Sequence, residues 1–249
     1  MFHLYQLSII LIFGFAAVVF ILLFFVSAPY GKFQRKGWGP SVKTKWAWMS
    51  MEFPSTALMV WLFISTPHKT LPHFIFIACW LANYIDRTFI YPFTQSGREK
   101  PYPFLLVGMA FVFNCMNSFI NGYGVFHLVS YSSDWTGTLQ FKIGIVVFLT
   151  GFVVNKISDT KLRRLRNSNP EEYVVPQGFI FRFISSPHYF GEIMEWVGWA
   201  VMTWSLPGLA FAVFTFANLF PRAWASHRWY RENFPDYPKN RKAIVPFII

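Results

Sequence analysis

Glu52 is the only charged residue in Trp46–Phe63, WAWMSMEFPSTALMVWLF, and it stands two positions before Pro54. A carboxyl group in low-dielectric surroundings favours its neutral form, and a neutral acid can donate a hydrogen bond. The plainer alternative is an interfacial glutamate paired with Lys43 or Lys45. Asn83–Pro103, NYIDRTFIYPFTQSGREKPYP, brings Tyr84, Asp86, Arg87 and Tyr91 close in sequence, then Gln95, Arg98 and Lys100 in a short segment with a glycine. Tyr84 and Arg87 are three apart and share a helical face. An Asp86–Arg87 pair flanked by interfacial tyrosines is the structural alternative.

A third group has the most informative spacing. In NKISDTKLRRLR, Asn155, Asp159, Arg163 and Arg166 recur at intervals of four, four and three, one stripe of a helix. Guanidiniums in line grip phosphate through forked, charge-assisted hydrogen bonds. Charge placement at a membrane surface explains the arginines but not their alignment with Asn155 and Asp159. A fourth group begins at SSPHYFGEIMEWVGW, where His188, Glu192 and Glu195 lie four and three apart. Two acids and a histidine suggest a metal, yet no matching ligand set and no HExxH pattern accompany them, so no metal is expected. Binding the amide or ribose hydroxyls of a ligand is the better use. Arg222, Ser226 and Tyr230 in PRAWASHRWYREN repeat every four residues, and Arg241 follows in YPKNRKAI.

The elements that must position these groups are membrane spans. The chain has 249 residues, 54% apolar, with 31 Phe and 11 Trp and only 13% charged, too apolar for a soluble domain of this length. Segments reaching the roughly 20 residues needed to cross a bilayer are Leu7–Val26, Trp46–Ser65, Leu71–Phe93, Phe104–Val129, Leu139–Lys156 and Gly191–Phe220. Pro207 is expected to split the last, giving about seven spans. With the amino terminus outside, the inward segments Tyr30–Lys45, Thr94–Pro101, Lys156–Pro187 and the tail from Arg222 hold 19 of the 22 Lys and Arg. That agrees with the positive-inside rule and a cytosolic carboxyl terminus. The expectation is an all-α polytopic membrane protein forming one domain over residues 1–249, in the endoplasmic reticulum or a bacterial inner membrane.

The same features exclude other classes. The net charge of +11 is mostly topology, and no nucleic-acid motif accompanies it. Val26-Ser27-Ala28 resembles a signal cleavage site, but no Lys or Arg precedes the apolar run and the run is too long for a signal core. Cys79 and Cys115, both in apolar segments, imply neither a disulfide framework nor a thiolate metal site. No GxGxxG lies in a strand–turn–helix context, since Gly37-Trp38-Gly39 runs into Pro40, so no Rossmann domain is expected. The polar groups gather at the inner ends of the spans and describe a cytosol-open cavity. Arginines stand at its mouth, with a tyrosine and a carboxyl group deeper in.

These residues resemble a known family. WMSMEFPS, NYIDRTFIY with SGREKPYP, NKISDTKLRRLR, VPQGFIFRFISSPHYFGEIMEWVGWAVMTWSLPGLAFA and ASHRWYRENFPDYPKNRKAIVPFII are similar to the steroid 5-alpha-reductases. The likeness covers nearly the whole chain and is densest from Asn155 to Ile249. It implies a seven-span enzyme that uses NADPH to reduce the carbon–carbon double bond of a 3-oxo-Δ4-steroid. Glu52 and Tyr84 would then bond to the substrate ketone. Gln95, Arg98, Asn155, Asp159, Arg163, Arg166, Tyr173, His188, Glu192, Arg222, Tyr230 and Arg241 would surround the dinucleotide. Implied partners are the steroid and membrane lipid, with no nucleic acid and no obligate protein partner. The chain departs from the family pattern at Met51 (usually glutamine), Val174 (arginine), His188 (asparagine) and Ser226 (histidine). Within reductases an enoyl-thioester is the alternative substrate. SPHYFGE also resembles membrane methyltransferases that use S-adenosylmethionine, but methyl transfer gives no reason for Glu52 and Tyr84. Passive lipid binding or transport gives none for the arginine stripe.

Overall fold

The computed structural model describes residues 2–26, 33, 37–169 and 172–249. Among them the chain is almost wholly helical: α1 (Phe2–Phe25), α2 (Thr44–Ile64), α3 (Leu71–Ile85), α4 (Tyr91–Thr94), α5 (Phe104–Tyr123), α6 (Leu139–Ser168), α7 (Pro187–Thr203) and α8 (Leu206–Asn233). The strands β1 (Ser41–Lys43) and β2 (Pro101–Pro103) pair antiparallel, with Val42 opposite Tyr102. The all-α polytopic expectation holds. Ser27, Ala28 and Tyr30 lie outside the described residues, so the cleavage-like sequence and the start of the first inward segment are not described in full.

Two helices are extended by π-helical turns, Asp86–Ile90 joining α3 to α4 and Gly124–Leu128 following α5. By length and composition, α1, α2, Phe104–Leu128, α6 and α8 are each able to cross a membrane. The other expected spans correspond to the interrupted run α3–α4 and to α7, which has only 17 residues. The break in the last apolar stretch falls just before Pro207. Trp204 adopts left-handed backbone (φ 46°, ψ 43°), and Ser205 caps α8, its Oγ accepting from the Gly208 N–H. Pro207 sits in the first turn of α8, where its missing N–H has no intrahelical partner to lose.

α6 and α7 run antiparallel along a seam of glycines. Gly144 and Gly151 on α6 meet Met202 and Glu195 on α7, and Gly191 and Gly198 on α7 meet Asn155 and Phe148 on α6. The seven-residue spacing on each helix keeps the small residues on one side, and backbones approach as they do at other small-residue membrane interfaces. Trp80, Trp196, Trp199, Phe76 and Phe148 are fully buried where α3, α6 and α7 meet. α1 packs on α8 through Phe20 against Phe216 and Phe220. Large apolar side chains such as Ile10, Trp61, Ile64, Met109 and Val146 face outward, as lipid contact requires.

Contacts between sequence-distant residues define two ends. At one, Lys45 bonds to Glu99, Arg163 to Thr94 and Lys156 to Asp86. At the other, the Tyr131 hydroxyl donates to the Thr203 carbonyl at 2.6 Å and the Trp135 indole to Met202 at 3.0 Å. All the candidate site residues belong to the first end.

Candidate active site

The site is built around Glu52, 7% exposed on α2. Pro54, inside the helix, lacks an N–H and loosens the ladder beside it. α5 supplies polar contacts there: Asn114 Nδ2 donates to the Met51 carbonyl at 2.7 Å and to Glu52 Oε2 at 3.3 Å. Arg87 approaches the other oxygen, with Nε and Nη2 each 3.2 Å from Glu52 Oε1. Its Nη1 lies 3.7 Å from Glu192 Oε2 on α7, and its plane stands 5.1 Å over the Trp48 ring. One guanidinium therefore joins α2, α3 and α7 through two acids. It leaves the helix at the π turn, whose extra residue re-aims the side chains that follow Tyr84.

Tyr84, 3% exposed, lies beside this cluster. Its ring stacks on Trp80 (4.9 Å, 28°) and lies 5.8 Å from Trp196. Its hydroxyl is within electrostatic reach of both Glu52 and Arg87. A phenol, a carboxyl and a guanidinium thus converge from α3 and α2 inside apolar walls.

The stripe on α6 faces the π turn and α4. Lys156 Nζ donates to Asp86 Oδ2 at 2.7 Å and to Asn83 Oδ1 at 3.4 Å. Arg163 Nη1 donates to Thr94 Oγ1 at 2.7 Å, and Asp159 is within electrostatic reach of Arg87, Lys156, Asp86 and Arg163. Asn155 Nδ2 donates to the His188 carbonyl at 3.0 Å, fixing the start of α7 against α6. Neither simple pairing considered from sequence forms. Asp86 pairs with Lys156 and not Arg87, because adjacent residues of a helix do not face one another. Lys43 and Lys45 pair with Glu99 across the β1–β2 ribbon and not with Glu52, which lies two turns deeper. The bonds from Lys45 and then Lys43 hold the Glu99 carboxyl below its ordinary range. The pair is exposed and contributes little to stability: Glu99→Gln is expected to leave the melting temperature of detergent-purified protein nearly unchanged.

A second patch lies further along α6 and α8. Arg166 donates to the Glu172 carbonyl at 3.1 Å and lies 3.3 Å over the Tyr173 ring, which in turn meets Trp229 edge-on at 5.1 Å. Burial raises the Tyr173 phenol above its usual value, against the pull of Arg166, so it remains neutral across the working range of pH. Tyr230, buried on α8, stacks on Tyr237 at 5.5 Å, and Arg241, 3% exposed, stands 4.9 Å over the same Tyr237 ring. Arg241 donates to the Pro176 carbonyl and to Gln177 Oε1, both at 3.2 Å. Arg222 and Ser226 lie two turns and one turn back along α8 from Tyr230. Gln95 is part-buried after α4. Arg98 is exposed, donating to the Phe93 carbonyl at 2.6 Å with Glu99 at 3.9 Å.

Several buried polar atoms end without a hydrogen-bond partner: Gln95 Nε2, Arg241 Nε, and both oxygens of Glu195, which is 0% exposed. Leaving such groups unsatisfied in a membrane protein costs several kcal/mol each, so their placement suits a ligand bearing donors and acceptors. Sequence reasoning placed Arg87 on the Tyr84 face without giving it a role, and missed Asn114. Arg87 was absorbed by the adjacent aspartate. Asn114 belongs to a signal that was available, since Asn114, Asn117, Ser118 and Asn121 share one face of an apolar span.

A model of the 3-oxo-5-alpha-steroid 4-dehydrogenase family matches residues 100–249. The chain is 43% identical over 239 residues to steroid 5-alpha-reductase DET2 of Arabidopsis thaliana, covering 92% of this chain and 90% of that protein. It is 40% identical to DET2 of Gossypium hirsutum over 254 residues, covering 100% and 97%. It is 37% identical to 3-oxo-5-alpha-steroid 4-dehydrogenase 1 of Bos taurus over 237 residues, covering 93% and 92%. Likeness of this extent leaves one assignment: the chain belongs to the 3-oxo-5-alpha-steroid 4-dehydrogenase family, and it is an oxidoreductase acting on CH–CH groups.

Proposed function

We propose that this protein reduces the C4–C5 double bond of 3-oxo-Δ4-steroids to 5-alpha-3-oxosteroids with NADPH, residues 1–249 acting as one membrane-embedded unit. The observation that carries the reading is the meeting of Glu52 and Tyr84 in apolar surroundings, on a chain of this family. A conjugated ketone accepts hydride at its β-carbon, C5, only when the charge growing on its oxygen is stabilised, and the enolate so formed takes a proton at C4 to give the saturated ketone. Tyr84 donates one hydrogen bond to that oxygen and Glu52 the other, an oxyanion hole in a water-poor place.

Charge counting accounts for a neutral Glu52 beside an arginine. Arg87 faces two acids and balances one negative charge. Glu192 is the more exposed of the two and takes that charge, while the more buried Glu52 stays protonated and points its proton at the ketone. Asn114 holds the Glu52 carboxyl in place from the α5 side. Substrate reaches the pocket from the surrounding lipid, and the charge bias of the sequence supports a cytosolic carboxyl terminus, with the cofactor site on that side.

The residues present fit a dinucleotide. When bound, NADPH supplies the hydride. Arg163, Arg166, Arg222 and Arg241 suit its phosphates, with Arg98 at the mouth, and Tyr173, Tyr230, Gln95, Asn155 and Asp159 its ribose and base. The buried, unpartnered oxygens of Glu195, with Glu192 and His188, suit the donors of a carboxamide. Arg166→Leu is expected to raise the KM for NADPH about tenfold or more with the steroid KM unchanged.

Purified protein in detergent is incubated with NADPH and testosterone, progesterone or an enoyl-thioester, and loss of nicotinamide absorbance is followed. Oxidation with the steroids alone is the expected result. Oxidation only with the thioester, or methyl transfer from S-adenosylmethionine to a prenylated thiol with no nicotinamide oxidation, overturns the proposal.

A further inference from the structure

Tyr84 is held by a chain of contacts that begins three helices away. Asn121, fully buried on α5, uses its Nδ2 on Asn117, donating to the backbone carbonyl and to Oδ1, both at 3.0 Å. That fixes the plane of the amide and turns its oxygen toward α7. There Oδ1 accepts the Trp199 indole N–H at 2.8 Å. Trp199 meets Trp80 edge-on at 5.1 Å and 60°. Trp80 is tied in its turn, its N–H donating to the Ser55 carbonyl on α2 at 2.9 Å, and its face stacks on Tyr84. Trp196 closes the other side, 5.3 Å from Trp80 and 5.8 Å from Tyr84.

An indole N–H inside a membrane protein has no water to fall back on, so each anchor decides how its ring lies. Here two anchors on two helices set two rings, and the rings set a third. The Ser55 anchor also lies one turn past Glu52 on the same helix, so the wall behind Tyr84 is referenced to the helix that bears the carboxyl group.

We infer that Asn121 is a positioning residue for the reduction: through Trp199 and Trp80 it sets the orientation of the Tyr84 hydroxyl. The inference rests on the assignment of Tyr84 to the ketone. Removing the amide leaves the Trp199 N–H without an acceptor; the ring turns out of its edge-on contact with Trp80, the wall behind Tyr84 loosens although Trp80 keeps its Ser55 anchor, and the hydroxyl leaves its place. Small misplacements of a catalytic group cost on the order of ten- to a hundredfold in rate.

The test uses full-length protein in detergent with NADPH and a 3-oxo-Δ4-steroid. Asn121→Leu is expected to lower kcat at least about tenfold with the KM for NADPH unchanged, and Asn121→Gln, which keeps an acceptor, to recover most of the loss. In a Tyr84→Phe background Asn121→Leu is expected to add almost nothing, since the hydroxyl it places is gone. Trp199→Phe removes the donor instead, and serves if Asn121→Leu does not fold. Wild-type kcat in a folded Asn121→Leu, or in Trp199→Phe where Asn121→Leu does not fold, or an effect as large in the Tyr84→Phe background as alone, overturns the inference. The two failures are separable: wild-type turnover in Tyr84→Phe removes the ketone assignment itself, whereas an impaired Tyr84→Phe with a normal Asn121→Leu removes only the positioning role.

Discussion

Glu52→Gln is expected to lower turnover about a hundredfold or more while leaving NADPH affinity and the melting temperature near wild type. Losing one preorganised donor from an oxyanion hole costs roughly 3 to 4 kcal/mol of transition-state stabilisation. The amide is nearly isosteric and still has an oxygen for Arg87, so packing against α5 and α7 survives. What it lacks is the acidity of the carboxyl group, whose bond to the ketone oxygen strengthens as charge develops there. Turnover in the variant equal to wild type would remove Glu52 from the reaction.

The same geometry separates Glu52→Gln from Arg87→Met. Arg87 holds Glu52 on one side and Glu192 on the other, 3.2 and 3.7 Å away. Without it, two acids face one another across a gap the cation had filled, so activity and stability fall together.

The sequence made some of this legible and hid the rest for physical reasons. Periodicity placed Asn155, Asp159, Arg163 and Arg166 on one helix, and α6 carries all four. Apolar runs located the helices, because a bilayer forces every backbone N–H and C=O to be satisfied within its own segment. The boundary at Trp204 was harder: a proline reads as a breaker, yet Pro207 begins a helix whose predecessor ends on a left-handed tryptophan. Arg87 was hidden because its sequence neighbour looks like a partner, although adjacent residues of a helix do not face one another. The glycines at 144, 151, 191 and 198 left no mark in composition, since two pairs separated by about forty residues matter only once the helices face one another.

That seam gives the other large effect. A single methyl group on Gly198 is expected to destabilise the protein by about 3 kcal/mol or more. Its Cβ would stand 2.6 Å from the Phe148 Cα and 2.7 Å from the Gly144 carbonyl oxygen, and a neighbouring backbone cannot turn aside as a side chain can. The helices must part, and the Asn155–His188 bond that joins the polar stripe of α6 to the start of α7 lies along the same interface. Gly108→Ala is the control, since an added Cβ there meets nothing within 4 Å and alanine favours the helix. Thermal melting and size-exclusion of the detergent-purified proteins should show Gly198→Ala losing folded material and activity in parallel, with Gly108→Ala unchanged or slightly more stable. Equal melting temperatures for the two would mean that α6 and α7 do not approach as closely as their glycines allow.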